Sequence, residues 1–245
     1  MLIAPFLVGA VAGGFAWIQL PLLAFWLVGY FAFFATSQWL RSGRRAKWFP
    51  PVRFYALLVS ALGLLLVVLE PSLIWWAPGF ALPAGVGLWA AAHRRDRDLL
   101  VGLTTVIGSS LMTVVAYEAG DTAQTAAPWA SGAWDHRPWL LAAVQAAYFG
   151  GTVFYVKSVI RERGNRTFFL WSIAFHLLCL LGCVWAALEV DSRWWWLAAI
   201  FAVLLGRAGW VWKLVTDGRR ITPKAIGIAE AVATITVSLC SLVVL

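Results

Sequence analysis

Glu230 is the residue best placed to do chemistry. It is an acid inside an otherwise apolar stretch, Ala225–Leu245, following Thr222, Pro223, Lys224 and Gly227. A charge at hydrocarbon depth is costly, so such a residue is either paired or functional. Arg207 interrupts the preceding apolar stretch, Trp194–Trp212, a few residues before Lys213. If the two stretches are antiparallel helices, Arg207 and Glu230 sit at comparable depth from the same face. Two readings follow: an ion pair that ties the last two helices together, or an intramembrane site for a ligand or a proton.

A second group of candidates lies in polar connections. His93, Arg94, Arg95, Asp96, Arg97 and Asp98 form one run, and Arg161, Glu162, Arg163, Gly164, Asn165 and Arg166 another. Forked guanidinium groups mixed with acids suit recognition of phosphate or carboxylate. Arg94, Arg97, Arg161, Arg163 and Lys224 are therefore the candidate contacts for an anion or lipid headgroup. The competing reading needs no pocket, because orientation in the membrane and attraction to anionic lipid call for the same cations. His176, Cys179 and Cys183 share one helix face by their spacing. With no matching partners elsewhere they make a poor metal site, and no metal or cofactor is expected. The alternative is that the cysteines and Gly182 permit close helix packing while His176 bonds across helices. Gln145, Tyr148, Thr104, Thr105, Ser109 and Ser110 add hydrogen-bonding capacity of the kind that joins helices.

The elements that hold these residues follow from composition. The 245-residue chain is 62% hydrophobic and 12% charged, a balance that identifies an integral membrane protein. A spanning helix needs about 20 apolar residues. Candidate spans run approximately Leu2–Ile18, Leu20–Leu40, Phe54–Leu69, Ser72–Ala92, Leu99–Tyr117, Trp139–Ile160, Phe168–Leu188, Trp194–Trp212 and Ala225–Leu245. The expected fold is one all-α polytopic transmembrane bundle of about nine helices over residues 1–245. In the fourth stretch Pro78, Gly79 and Pro83 imply a kinked or partly re-entrant segment. The long connection from Ala119 to Pro138 reads as a flexible loop or a lid.

Of the 19 Lys and Arg residues, all but Arg137 and Arg193 fall in the segments Arg41–Arg53, Arg94–Arg97, Lys157–Arg166 and Arg207–Lys224. By the positive-inside rule those segments are cytoplasmic, which sets the N-terminus inside and the C-terminus outside. The same rule accounts for the net charge of +8 without a nucleic-acid partner. Many of the 17 tryptophans, including Trp75, Trp139 and Trp195, flank the spans as interfacial anchors. For Trp26, Trp89 and Trp185 a ligand-stacking role is the alternative. The three cysteines lie in apolar runs and support no disulfide framework. The N-terminus lacks the features of a cleaved signal peptide.

The opening Met1-Leu2-Ile3-Ala4-Pro5-Phe6, the run from Phe154 to Val159 through Arg161, Arg163 and Asn165, and the pattern Thr222, Pro223, Lys224, Ile226, Gly227, Glu230 resemble the YwiC-like family of bacterial membrane proteins. The resemblance covers essentially the whole chain and implies architecture rather than a defined reaction. Members usually carry a polar leader with a Gln-His-Gly run before this opening, so the resemblance implies an internal start. The helix count and loop placement are also similar to UbiA-type prenyltransferases. Those enzymes hold a prenyl diphosphate through Mg²⁺ on Asp-rich loops. Here Arg41–Arg53 contains no acid and the later loop only Glu162. Clustered oxygen ligands for Mg²⁺ are thus missing, and a transferase would need them lost or replaced. The expectation is a multi-pass cell-membrane protein in contact with membrane lipids. It binds or moves an amphiphilic anionic molecule at its cytoplasmic face; a lipid-phase transferase or a non-catalytic subunit of a membrane complex are the alternatives.

Overall fold

The computed structural model describes residues 1–95, 97–120, 135–219 and 222–245. Among the described residues there are nine α-helices and no strands: α1 (Ala4–Ala12), α2 (Gln19–Arg41), α3 (Phe49–Leu69), α4 (Ala77–Ala92), α5 (Leu99–Glu118), α6 (Arg137–Val156), α7 (Arg166–Glu189), α8 (Trp194–Thr216) and α9 (Pro223–Val244). Eight are long and apolar enough to cross a membrane. The chain is a multi-pass membrane protein. Its outward surface carries large apolar residues such as Leu64, Val68, Leu178 and Val203, which face lipid rather than water.

The first expected span differs from the structure. Instead of a helix over Leu2–Ile18, α1 has 9 residues, about 13 Å at 1.5 Å per residue, against a hydrocarbon core of about 30 Å. It ends at Gly13, and Gly14 follows with a positive φ of 80°. The turn into α2 is held by Gln19. Its side-chain amide donates to the carbonyls of Gly14 (2.9 Å) and Ala116 (3.1 Å), and its Oε1 accepts from the Ala16 N–H (3.2 Å). Hydropathy cannot distinguish a short packed helix from a spanning one when an apolar turn follows it.

The chain forms two compact units, Met1–Ala142 and Ala143–Leu245, with α6 running from the first into the second. In the first unit α1 lies along the distal half of α5. A Cβ at Gly9 would strike the Thr113 carbonyl, and one at Gly13 the Tyr117 carbonyl. The two backbones therefore approach more closely than any side chain permits. The register Gly9 to Thr113 and Gly13 to Tyr117 makes the helices parallel. Phe6, Leu22, Leu66, Trp76, Met112 and Val115 fill the core of this unit.

Elsewhere the boundaries shift for local reasons. Helix α3 begins five residues before the expected Phe54 because Pro50 and Pro51 occupy its first turn, where proline costs no hydrogen bond. The expected interruption near Pro78 resolves into a 3₁₀ turn, Pro71–Trp76, followed by α4, with Pro83 inside the helix. Helix α6 continues as one π turn, Lys157–Arg161. In the second unit α7 is capped by Asn165, whose Oδ1 accepts from the Phe168 N–H at 3.1 Å, and α9 by Thr222, whose hydroxyl accepts from the Ala225 N–H at 3.2 Å. The Ala119–Pro138 connection lies mostly outside the described residues.

Candidate functional site

The second unit brings its polar residues together. On α8, Arg207 lies about two and a half turns before the helix end; on α9, Glu230 lies about two turns after its start. Arg207 Nη2 stands 2.6 Å from Glu230 Oε1, with 19% and 13% of the two side chains exposed. The distance is that of an ion pair, while the alignment falls short of a hydrogen bond. The guanidinium also packs over the Tyr155 ring, 4.4 Å from its centroid.

Helix α6 supplies the partners of the other carboxylate oxygen. Thr152 Oγ1 donates to Glu230 Oε2 at 2.7 Å, and the Tyr148 hydroxyl lies 3.1 Å from the same atom. Tyr148 is also 3.0 Å from the Glu230 carbonyl and 3.0 Å from Thr234 Oγ1. Thr234 in turn donates to the Glu230 carbonyl at 2.7 Å. Tyr148, Thr152 and Tyr155 recur on one face of α6 because a helix returns every 3.6 residues. The carboxylate is thus bound by a cation on one oxygen and hydroxyls on the other.

His176 of α7 borders this cluster. Its Nε2 would lie 3.1 Å from a Cβ at Gly151, next to Thr152 in the chain. His176 Nδ1 pairs with the Ser172 carbonyl at 2.7 Å, within its own helix. Gly182 corrects one expectation: among the described residues a Cβ there would meet nothing within 4 Å, so this glycine is not the site of a close helix packing.

Several buried polar atoms in this unit have no hydrogen-bond partner among the described residues: the Gln145 amide nitrogen and oxygen, Ser172 Oγ, Ser238 Oγ and Arg207 Nε. Gln145 is 0% exposed and lies one turn before Tyr148 on α6. Arg207 Nε leaves part of the guanidinium available for a further acceptor.

The basic candidates divide between the units. Arg94 and Arg97 belong to the first, Arg161, Arg163 and Lys224 to the second. Arg94 is exposed with a positive φ of 58°, in the turn after α4. Its neighbour Arg95 pairs with Asp98 at 2.7 Å and packs over Trp89. Arg163 donates from Nη2 to the Val215 carbonyl at 3.2 Å, which caps the end of α8. Lys224 is exposed in the first turn of α9. Thr152, Tyr155 and Thr234 escaped the sequence reading, although their spacing relative to Tyr148 and Glu230 was the available signal. Of the tryptophans considered for stacking, Trp26 donates its indole N–H to the Leu2 carbonyl at 2.8 Å, Trp89 packs against His93, and Trp185 is exposed.

Residues 1–117 match the family model described as YwiC-like protein. The chain is 30% identical over 194 residues to the uncharacterized protein YwiC of Bacillus subtilis (strain 168), covering 77% of each chain. It is 24% identical over 187 residues to an uncharacterized protein of Haemophilus influenzae, covering 74% of this chain and 72% of that one. No solved structure matches. An identity of 30% across 77% of the Bacillus subtilis protein, together with the family match over the first 117 residues, makes this chain a member of the YwiC-like family.

Proposed function

We infer that this protein is a multi-pass protein of the cell membrane whose second unit binds the headgroup of an amphiphilic anion at Arg207. In this reading the basic connections face the cytoplasm and the C-terminus lies outside, which the distribution of Lys and Arg supports. The observation that carries the reading is the state of Arg207. It is a mostly buried guanidinium with one short contact to Glu230 and a buried Nε that has no hydrogen-bond partner among the described residues. Lipid hydrocarbon cannot satisfy such a donor, whereas a phosphate or carboxylate oxygen of a headgroup can. Arg94, Arg97, Arg161 and Lys224 act at the cytoplasmic surface, where their charge raises the local concentration of anions. Arg163 contributes to the same field while capping α8.

Mass spectrometry of lipids co-purifying with the protein tests this. Native protein is expected to retain an anionic amphiphile that an Arg207→Gln variant loses and an Arg161→Ala/Arg163→Ala double variant retains in reduced amount. An identical lipid complement in all three overturns the reading.

A further inference from the structure

We propose that Glu230 is a proton-binding site coupled to the anion site, so that each anion bound at Arg207 enters together with one proton on Glu230. The coupling rests on the anion binding inferred above and adds to it the identity of the second ligand.

The argument starts from the two ends of the Glu230 carboxylate. Oε1 faces Arg207 at 2.6 Å, a side chain that only donates. Oε2 faces the hydroxyls of Thr152 (2.7 Å) and Tyr148 (3.1 Å), which can donate or accept by rotating one O–H bond. If Oε2 takes a proton, it donates to one of these hydroxyl oxygens. Tyr148 then donates to the Glu230 carbonyl or to Thr234 Oγ1, each 3.0 Å away. The hydroxyl side therefore accommodates both protonation states without moving the backbone. The arginine side does not, because protonation removes the counter-charge that holds Arg207.

The cost of a net charge at hydrocarbon depth then selects the cheap states. An ionised Glu230 with Arg207 is neutral, and so is a protonated Glu230 with Arg207 holding a monoanion. Anion without proton leaves one net negative charge at hydrocarbon depth, and proton without anion leaves one net positive charge; both are costly there. Binding of the two ligands is thus mutually reinforcing, as linkage requires. No bond beyond the carboxyl O–H is made or broken. An independent feature supports a polar interior: Gln145, on α6 one turn from Tyr148, is 0% exposed with both amide atoms lacking a partner among the described residues. Among the described residues, the titratable and charged groups around Glu230 are Tyr148 and Tyr155 from α6, His176 from α7 and Arg207 from α8.

Dioctanoyl phosphatidylglycerol is a suitable probe because its phosphodiester does not titrate between pH 5.5 and 8.5; dioctanoyl phosphatidylcholine is the zwitterionic control and dimethyl phosphate the free-anion arm. Binding to the full protein in micelles is measured across that range. While Glu230 is ionised in the unliganded protein, affinity is expected to rise about tenfold for each pH unit lowered. Glu230→Gln, which mimics the protonated acid, is expected to bind as tightly as native protein at low pH, with no slope. Arg207→Gln is expected to bind weakly at every pH. Binding of phosphatidylglycerol alone with this slope marks a lipid headgroup, and binding of dimethyl phosphate with the same slope a soluble anion; either supports the coupling. Tight, pH-independent binding by native protein overturns the coupling while leaving the anion site intact. A slope that persists in Glu230→Gln but vanishes in His176→Gln also overturns it. No preference for either anion in native protein or Glu230→Gln overturns the anion site as well. Should Glu230→Gln fold poorly, calorimetry of the native protein in two buffers of different ionisation enthalpy decides: one proton taken up per anion supports the coupling, and none overturns it.

Discussion

Arg207 Nη2 and Glu230 Oε1 stand 2.6 Å apart, joining α8 to α9 at matching depth. Removing either partner leaves the other charge uncompensated. Arg207→Ala or Glu230→Ala alone is expected to destabilise the protein by about 3 kcal/mol, whereas an Arg207→Met/Glu230→Leu double variant recovers most of that loss. Thermal unfolding in detergent checks the order. A double variant no more stable than the singles would refute the pair's role.

The hydroxyls on Glu230 Oε2 make a separate contribution. Thr152→Val preserves shape and deletes a 2.7 Å hydrogen bond to a carboxylate, with an expected loss of about 2 kcal/mol. In a Glu230→Gln background the same substitution is expected to cost less, because the acceptor is no longer charged. Equal costs in the two backgrounds, read by a double-mutant cycle, would show that Thr152 does not act through the carboxylate.

Close approach of α1 to α5 gives a contrast among glycines. Gly9→Ala places a methyl group into the Thr113 carbonyl and is expected to cost about 1 to 3 kcal/mol. Gly182→Ala meets open space, and as a mid-helix glycine its replacement is expected to be neutral or stabilising by up to about 1 kcal/mol. Melting temperatures of the two variants, measured side by side, test the assignment.

Between α7 and α8, Asp191 accepts from the Arg193 N–H at 2.8 Å and from its guanidinium at 2.8 and 2.9 Å. These bonds hold the Asp191 carboxyl below its ordinary value. The group is depressed in the folded state, so its contribution is present above the unfolded-state value and is lost as pH falls through the folded one. Asp191→Asn is therefore expected to lower the melting temperature slightly at pH 7 and to make no difference once Asp191 is protonated in both states. A difference that grows on acidification would reverse the sign.

Arg163 caps α8 through the Val215 carbonyl. Arg163→Ala is expected to increase hydrogen exchange selectively in the last turn of α8, with a loss of about 1 kcal/mol. Unchanged exchange there would assign Arg163 wholly to the surface field.

Much of this was legible in the linear chain. Hydropathy over about 20 residues reports the length of apolar helix, and Lys and Arg mark the connections, because both depend on exchange between lipid and water rather than on neighbours. Depth along a span follows from counting residues, which is why Arg207 and Glu230 could be paired before any coordinates. What counting cannot supply is the rotation of each helix about its axis and the distance between backbones. Those are set by packing. They decide that Gly9 and Gly13 admit α5 while Gly182 admits nothing, and that α1 docks as a short helix instead of spanning. They also bring Thr152, Tyr148 and Thr234 to Glu230, turning a pair of charges into a carboxylate with a cation at one oxygen and exchangeable hydroxyls at the other. Composition and periodicity determined the elements and the depth of their charges; only tertiary packing decided which side chains meet, because contact depends on helix phase, which local sequence leaves open.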